Sequence, residues 1–220
     1  MKKVLVGYGI DVDAVSGWFK SIEVLTRVTG KRPRGWTAPA WTASPHTVAL
    51  LEEAGIEYDH SFMHHDCHIY ALPYSDYNCK PTEYKRPNGR RPNASAWMAP
   101  MPPPKISSVV TVPANWHLDD WPPFTPGDGG SNGFIDPHMV ERMWKEHFEY
   151  YYESYDDFVF PLSIHPQISA KPHVLQMHKR MIEWLNGFEG VEWCTFGDMV
   201  DCYKQGGTVH SIVDAINGTP

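Results

Sequence analysis

No run of this 220-residue chain is long and apolar enough to cross a bilayer, and no charged-then-apolar leader opens it. No membrane partner is expected, and the cytoplasm is the expected location. Basic blocks are missing too: 19 Lys and Arg stand against 26 Asp and Glu, a net charge of −7. That balance argues against nucleic acid as a partner. Cysteine is scarce. Cys67, Cys79, Cys194 and Cys202 never fall in the Cys-x-x-Cys spacing of a metal or redox motif, so four reduced thiols are expected. Two formal glycosylation sequons, at Asn93 and Asn217, mean little without a secretory signal.

Aromatic residues and alternation are what the chain does have. Its 9 Trp, 11 Tyr and 9 Phe fill a core first, and can wall a flat cleft for a polar organic substrate. The length suits one domain with a real core. Short apolar runs at 3–10, 35–39, 57–60, 107–113, 158–164 and 191–196 read as strands. Helices fall between them. One spans 18–29, closed by Gly30 at its C′ position. Another opens with Ser44 as N-cap and Pro45 at N1 and ends before Gly55. Asp136 and Pro137 repeat that device for a helix running to about Tyr155. Residues 171–186 form the next helix, and Asp198 starts the last. Residues 62–106 are proline-rich and aperiodic, so they read as a long surface loop wrapping one mouth of the fold. Strand–helix alternation means a parallel sheet with helices outside, closed or nearly closed. The domain is taken as 1–206, with a frayed tail over 207–220.

Chemistry collects after the strands. Asp11 and Asp13 follow the first. Asp119, Asp120 and Trp121 follow the strand at 107–113. His165, between Ile164 and Pro166, leaves the strand at 158–164. The C-terminal ends of strands are where an α/β barrel places its active site. His46, His138, His147, His173, His178 and His210 read as surface residues at helix caps or on helix faces.

In order, the strings GIDVDA, RGWTAPAW, ANWHLDDWPP and SIHPQIS resemble the polysaccharide deacetylase (NodB-homology) family, which is carbohydrate esterase 4-like. The nearest branch is that of cytosolic fungal and bacterial members acting on small amides or imides. The likeness runs from Lys3 to about Tyr203. It implies a deformed (β/α) barrel that hydrolyses an amide C–N bond with one divalent metal, zinc being the first choice. The resemblance casts Asp11 as the base that activates water and Asp13 as a metal ligand. His165 becomes the acid that protonates the leaving nitrogen, and Asp120, or Asp119 beside it, orients that His. Trp36, Trp41 and Trp121, with His64 at the rim, become substrate contacts. The implied substrate is a small-molecule amide or an N-acetyl sugar.

Two positions depart from the family pattern. Its arginine falls at Thr37, with Arg34 nearby but not equivalent. Its His-x-x-x-His motif, which supplies two metal ligands, belongs between GIDVDA and RGWTAP, yet Val15 to Pro33 contains no histidine. An internal deletion with its junction near Gly17–Phe19 accounts for this, and a full eight-fold barrel takes about 250 residues. The barrel is therefore expected to be incomplete. It should gape between the first strand and that of GWTAP, with exposed edges through which copies could pair as a homo-oligomer. His64 and His68 offer a His-x-x-x-His spacing elsewhere, and on a helix they would share a face as a metal pair. Without such a pair the metal would be absent from this form. The chain would then keep the scaffold with at most residual activity.

Overall fold

The computed structural model describes residues 2–10, 18–74, 103–127 and 134–206. Strand β1 (Lys3–Ile10) leads to helix α1 (Trp18–Thr29). Then come β2 (Gly35–Trp36), α2 (Thr47–Glu53), β3 (Tyr58–Asp59), β4 (Tyr70–Tyr74) and β5 (Lys105–Thr111). A short helix α3 (Trp121–Phe124) precedes the long α4 (Pro137–Ser154). Strand β6 (Asp157–Ile164), α5 (Pro166–Ser169), α6 (Pro172–Leu185), β7 (Val191–Trp193) and α7 (Phe196–Lys204) complete the order.

The parallel strands form two sheets, not the single curved sheet expected from sequence. One has the order β6-β1-β7 and the other β2-β3-β5-β4. Strands β1 and β2 fall in different sheets, the separation anticipated between them, and no closed barrel forms among the described residues. Among the described residues one parallel bridge joins the sheets, between Asp119, past the end of β5, and Ser163 of β6. The expected loop over 62–106 is also corrected in part. It contains β4, which pairs antiparallel with β5, Tyr70 opposite Thr111 and Tyr74 opposite Lys105. Pro73 sits in β4 beside a register shift, on an edge strand where a missing N–H is tolerated.

Two helix starts differ from expectation because local polar contacts win. Ser44 and Thr47 exchange hydrogen bonds, with Ser44 N–H donating to Thr47 Oγ1 at 2.8 Å. The first turn is thereby wound tight, and α2 begins at Thr47. Thr195 caps α7 in place of Asp198. Its hydroxyl accepts from Asp198 N–H, and the Asp198 carboxylate accepts from Thr195 N–H. This reciprocal box stops β7 at Trp193. Asp136 does cap α4, accepting from His138 N–H at 2.9 Å.

β6 is buried on both faces. Phe158, Phe160 and Leu162 point at α4 and α6, joining Trp144, Phe148, Val174, Met177, Met181 and Leu185 in the main core. Val159 points the other way, into a second core with Val110, Val112, Phe196 and Met199. β1 pairs with β6 in register from Lys3–Asp157 to Ile10–Ile164, so both strands end at one level. Gly9 lets Phe196 close over that end: a Cβ there would lie 2.6 Å from the ring.

Candidate active site

The expected residues that the structure describes, Asp119, Asp120 and His165, lie past the C-terminal ends of the parallel strands. Ile164 ends β6, and His165 follows as the N-cap of α5 in extended conformation. Asp119 and Asp120 come after a short 3₁₀ turn, Trp116–Leu118, beyond β5. Asp120 N–H donates to the Ser163 carbonyl at 3.2 Å, which fixes the two chains side by side. As a result Asp120 Oδ1 accepts from both His165 N–H (3.0 Å) and His165 Nδ1 (2.9 Å). Asp119 Oδ1 stands 3.5 Å from the same Nδ1 and accepts from Trp121 N–H at 2.7 Å. Asp120 is fully buried, Asp119 and His165 nearly so. The Trp121 ring tilts against the imidazole at 4.8 Å. A carboxylate in this place holds the imidazole with Nδ1 protonated, leaving Nε2 as the nitrogen for proton exchange.

A cavity of about 290 Å³ is lined by Tyr8, Gly9, Ile10, Trp36, Thr37, Tyr58, His60, Ser163 and Phe196, among others; neither Asp120 nor His165 lines it, and Ser163, whose carbonyl accepts from Asp120 N–H, links it to the pair. These residues come from β1, β2, β3, β6 and the start of α7, at or just past the strand ends. Of the expected substrate contacts, Trp36 lines the cavity. Trp41 packs edge-on against His60 at 5.8 Å and on Trp116 at 4.6 Å. Trp121 lies on His165. His64 is exposed, with Nδ1 3.1 Å from the Tyr70 hydroxyl and its ring stacked on Phe62. Thr37, in the family's arginine position, lines the cavity, whereas Arg34 pairs with Glu57 and Asp201 away from it. Asp11 and Asp13 lie outside the described residues, as do Cys79 and His210. Cys67, Cys194 and Cys202 are free thiols.

Three polar residues of this region escaped sequence reading. His60 is buried just past β3. Its Nδ1 donates to the Val112 carbonyl at 2.9 Å, so its Nε2 accepts from the Ser163 hydroxyl at 2.8 Å. Burial pulls its pKa down to about 4, which keeps it neutral. The second is Ser163 itself. The third, His178, is buried and corrects the surface assignment. It sits on the α6 stripe of Val174, Met177, Met181 and Leu185, and that helical period was its available signal.

Asp59, beside His60, is fully buried. Its Oδ2 accepts from Ser61 N–H at 2.7 Å, while Oδ1 has no partner among the described residues. Burial pushes its carboxyl up to about 6. The folded state therefore binds this proton more tightly than the unfolded chain does. The associated stability is complete below the ordinary carboxyl range and is lost as pH rises through about 6. A shift of that size is worth roughly 3 kcal/mol. His60 acts oppositely, losing stability as pH falls from 6.5 towards 4. Asp59→Asn should remove the first effect alone. The stability of the variant relative to the native chain is then expected to rise between pH 4 and pH 7, by up to roughly 3 kcal/mol, in urea unfolding. A gap independent of pH would refute this assignment.

Two groups have the composition of a metal site: His65, Cys67 and His68, and Asp119, Asp120 and His165, each with ligand atoms within 4.8 Å. Neither fits a metal as wired. Residues 61–69 form no helix, so the helical His64–His68 face is not made. His68 instead faces His65, Nδ1 to Nε2 at 3.2 Å, and reaches the Asp157 carbonyl with its own Nε2. His65 Nδ1 accepts from the N–H groups of Cys67 and His68, which puts the His65 proton on the nitrogen a metal would need. In the other group, Asp120 Oδ1 and His165 Nδ1 are bonded to each other.

No protein-family model matches the chain. Over 184 residues it is 40% identical to the peptidoglycan deacetylase of Helicobacter pylori, covering 83% of this chain and 60% of that protein. It is 36% identical over 186 residues to a peptidoglycan deacetylase-like protein of Gibberella zeae, covering 80% and 53%. The crystal structure of a putative polysaccharide deacetylase from Mycobacterium smegmatis superposes with a TM-score of 0.64 at 22% identity, over 87% of this chain and 57% of that one. The chain thus spans little more than half the length of the curated relatives it matches. With its parallel strands, helical layers and an Asp–His pair at the strand ends, it belongs to the NodB-type polysaccharide deacetylase family.

Proposed function

We propose that this protein is a hydrolase of non-peptide amide C–N bonds, acting on an N-acyl sugar or a small cyclic amide. The observation that carries this reading is the buried Asp120–His165 pair past the ends of β5 and β6, linked through Ser163 to a cavity with aromatic walls. Breaking an amide requires a proton on the departing nitrogen, and an imidazole held through Nδ1 delivers it from Nε2. The His60–Ser163 contact adds an uncharged polar floor: the Ser163 proton is committed to His60, so its oxygen accepts from a ligand N–H or O–H. Asp11 is the proposed base. The divalent metal of the family, zinc first, would have to draw on ligands beyond the two described groups, Asp13 among them.

A second reading is favoured by one observation, the absence of any histidine from Val15 to Pro33. In it the chain is a shortened form, by deletion near 17–20, that keeps the scaffold and not the metal. One experiment separates the two. The 220-residue chain is incubated with an N-acetylated oligosaccharide and, separately, a cyclic imide, with zinc supplied and then chelated. The expected result is slow hydrolysis that falls on chelation. No turnover with any divalent cation, together with no binding of zinc by calorimetry, would establish the inactive scaffold.

A further inference from the structure

A line of buried and half-buried polar groups runs from the Asp120–His165 pair into the layer between β1 and α6. Asp120 Oδ2 accepts from the Ser169 hydroxyl at the end of α5. Ser169 Oγ lies 3.2 Å from His178 Nε2 on α6. His178 Nδ1 lies 3.3 Å from the Tyr8 hydroxyl on β1. Tyr8 also meets His178 edge-on, with centroids 5.5 Å apart, and Trp144 tilts against the same imidazole at 5.7 Å.

The chemistry of each group sets the direction of every bond. A carboxylate only accepts, so Ser169 spends its single proton on Asp120. Ser169 Oγ must then accept from His178, which places the His178 proton on Nε2. Neutral His178 accepts at Nδ1, and Tyr8 is the donor. Burial lowers the pKa of His178 and raises that of Tyr8, so the imidazole stays neutral and the phenol keeps its proton. At the other end, His165 Nδ1 donates to Asp120 Oδ1. Both arms therefore converge on one carboxylate, which otherwise could rotate about its terminal bond.

We propose that Ser169 and His178, backed by Tyr8, are positioning residues that clamp Asp120 by Oδ2 so that Oδ1 stays on His165. A seam of merely satisfied polar groups would leave the His165 proton unaffected when broken; a clamp would not. The inference rests on the hydrolase reading only for its consequence in turnover.

The test uses the full chain labelled with ¹⁵N-histidine and long-range proton–nitrogen spectra, which need neither metal nor substrate. In the native chain His178 is expected to carry its proton on Nε2, and His165 a slowly exchanging proton on Nδ1. Ser169→Ala and His178→Phe should each speed exchange of that His165 proton roughly tenfold or more, the scale of one hydrogen bond to a charged carboxylate. Ser169→Thr, which keeps the hydroxyl, should restore slow exchange and also shows that the effect is not misfolding. A His178 proton found on Nδ1 overturns the wiring. Unchanged His165 exchange in both broken variants overturns the clamp. A native chain with these signals but no turnover would sink the hydrolase reading and leave the clamp standing.

Discussion

On the proposed hydrolase reading, His165→Ala is expected to lower amide hydrolysis by about 10²–10⁴-fold, the usual contribution of a positioned acid or base. The imidazole is buried, its Nδ1 is held by Asp120 at 2.9 Å, and Trp121 packs on its face. Proton delivery matters only as the C–N bond breaks. The loss should therefore appear equally in kcat and kcat/KM, with KM little changed. Initial rates of acetate release from an N-acetylated sugar check this. A variant with native rates would show that the proton comes from elsewhere. Asp120 should remain buried in the variant with its Ser169 bond, so a mild fall in stability is compatible with the result and a loss of folding is not expected.

Phe148→Ala is expected to cost about 3–5 kcal/mol. The ring is fully buried at the meeting of α4, α6 and β6. Its centroid lies 5.2 Å from Phe160, 5.5 Å from Phe158, 5.4 Å from Trp184 and 4.9 Å from Phe188, all edge-on. Truncation removes the apolar transfer term and leaves a cavity walled by four rigid rings that cannot collapse into it. Against a total of about 5–15 kcal/mol for a domain, this is a large fraction. Urea unfolding of the two forms measures it. A loss within about 0.5 kcal/mol, the range of surface substitutions, would mean that this core is not the one that holds the sheet.

Much of the architecture was legible because local signals are strong where burial is one-sided or total. The run Phe158 to Ile164 is apolar throughout since β6 is covered on both faces, and it appears where the sequence placed it. Gly30 ends α1 with φ of 71°, and Asp136 caps α4. Strand β4 was hidden because prolines at one edge mask a pairing that only β5 completes. Polar competition at Thr47 and Thr195 moved two helix starts by a few residues, a scale on which pattern alone has no resolution.

Strand and helix order, the family strings and the delivery of Asp119, Asp120 and His165 to strand ends were determined by the sequence itself, because period and capping act within a few residues. Tertiary structure alone decided which side chains meet. It joined Asp120 to His165 across 45 positions, seated His60 on Ser163 across 103, and turned His178 inward on the apolar stripe of α6. It also split the described strands into two sheets, with one parallel bridge between them among the described residues. Such contacts depend on the relative placement of strands and helices distant in the chain. Packing sets that placement, since a buried polar group is stable only where the fold brings it a partner.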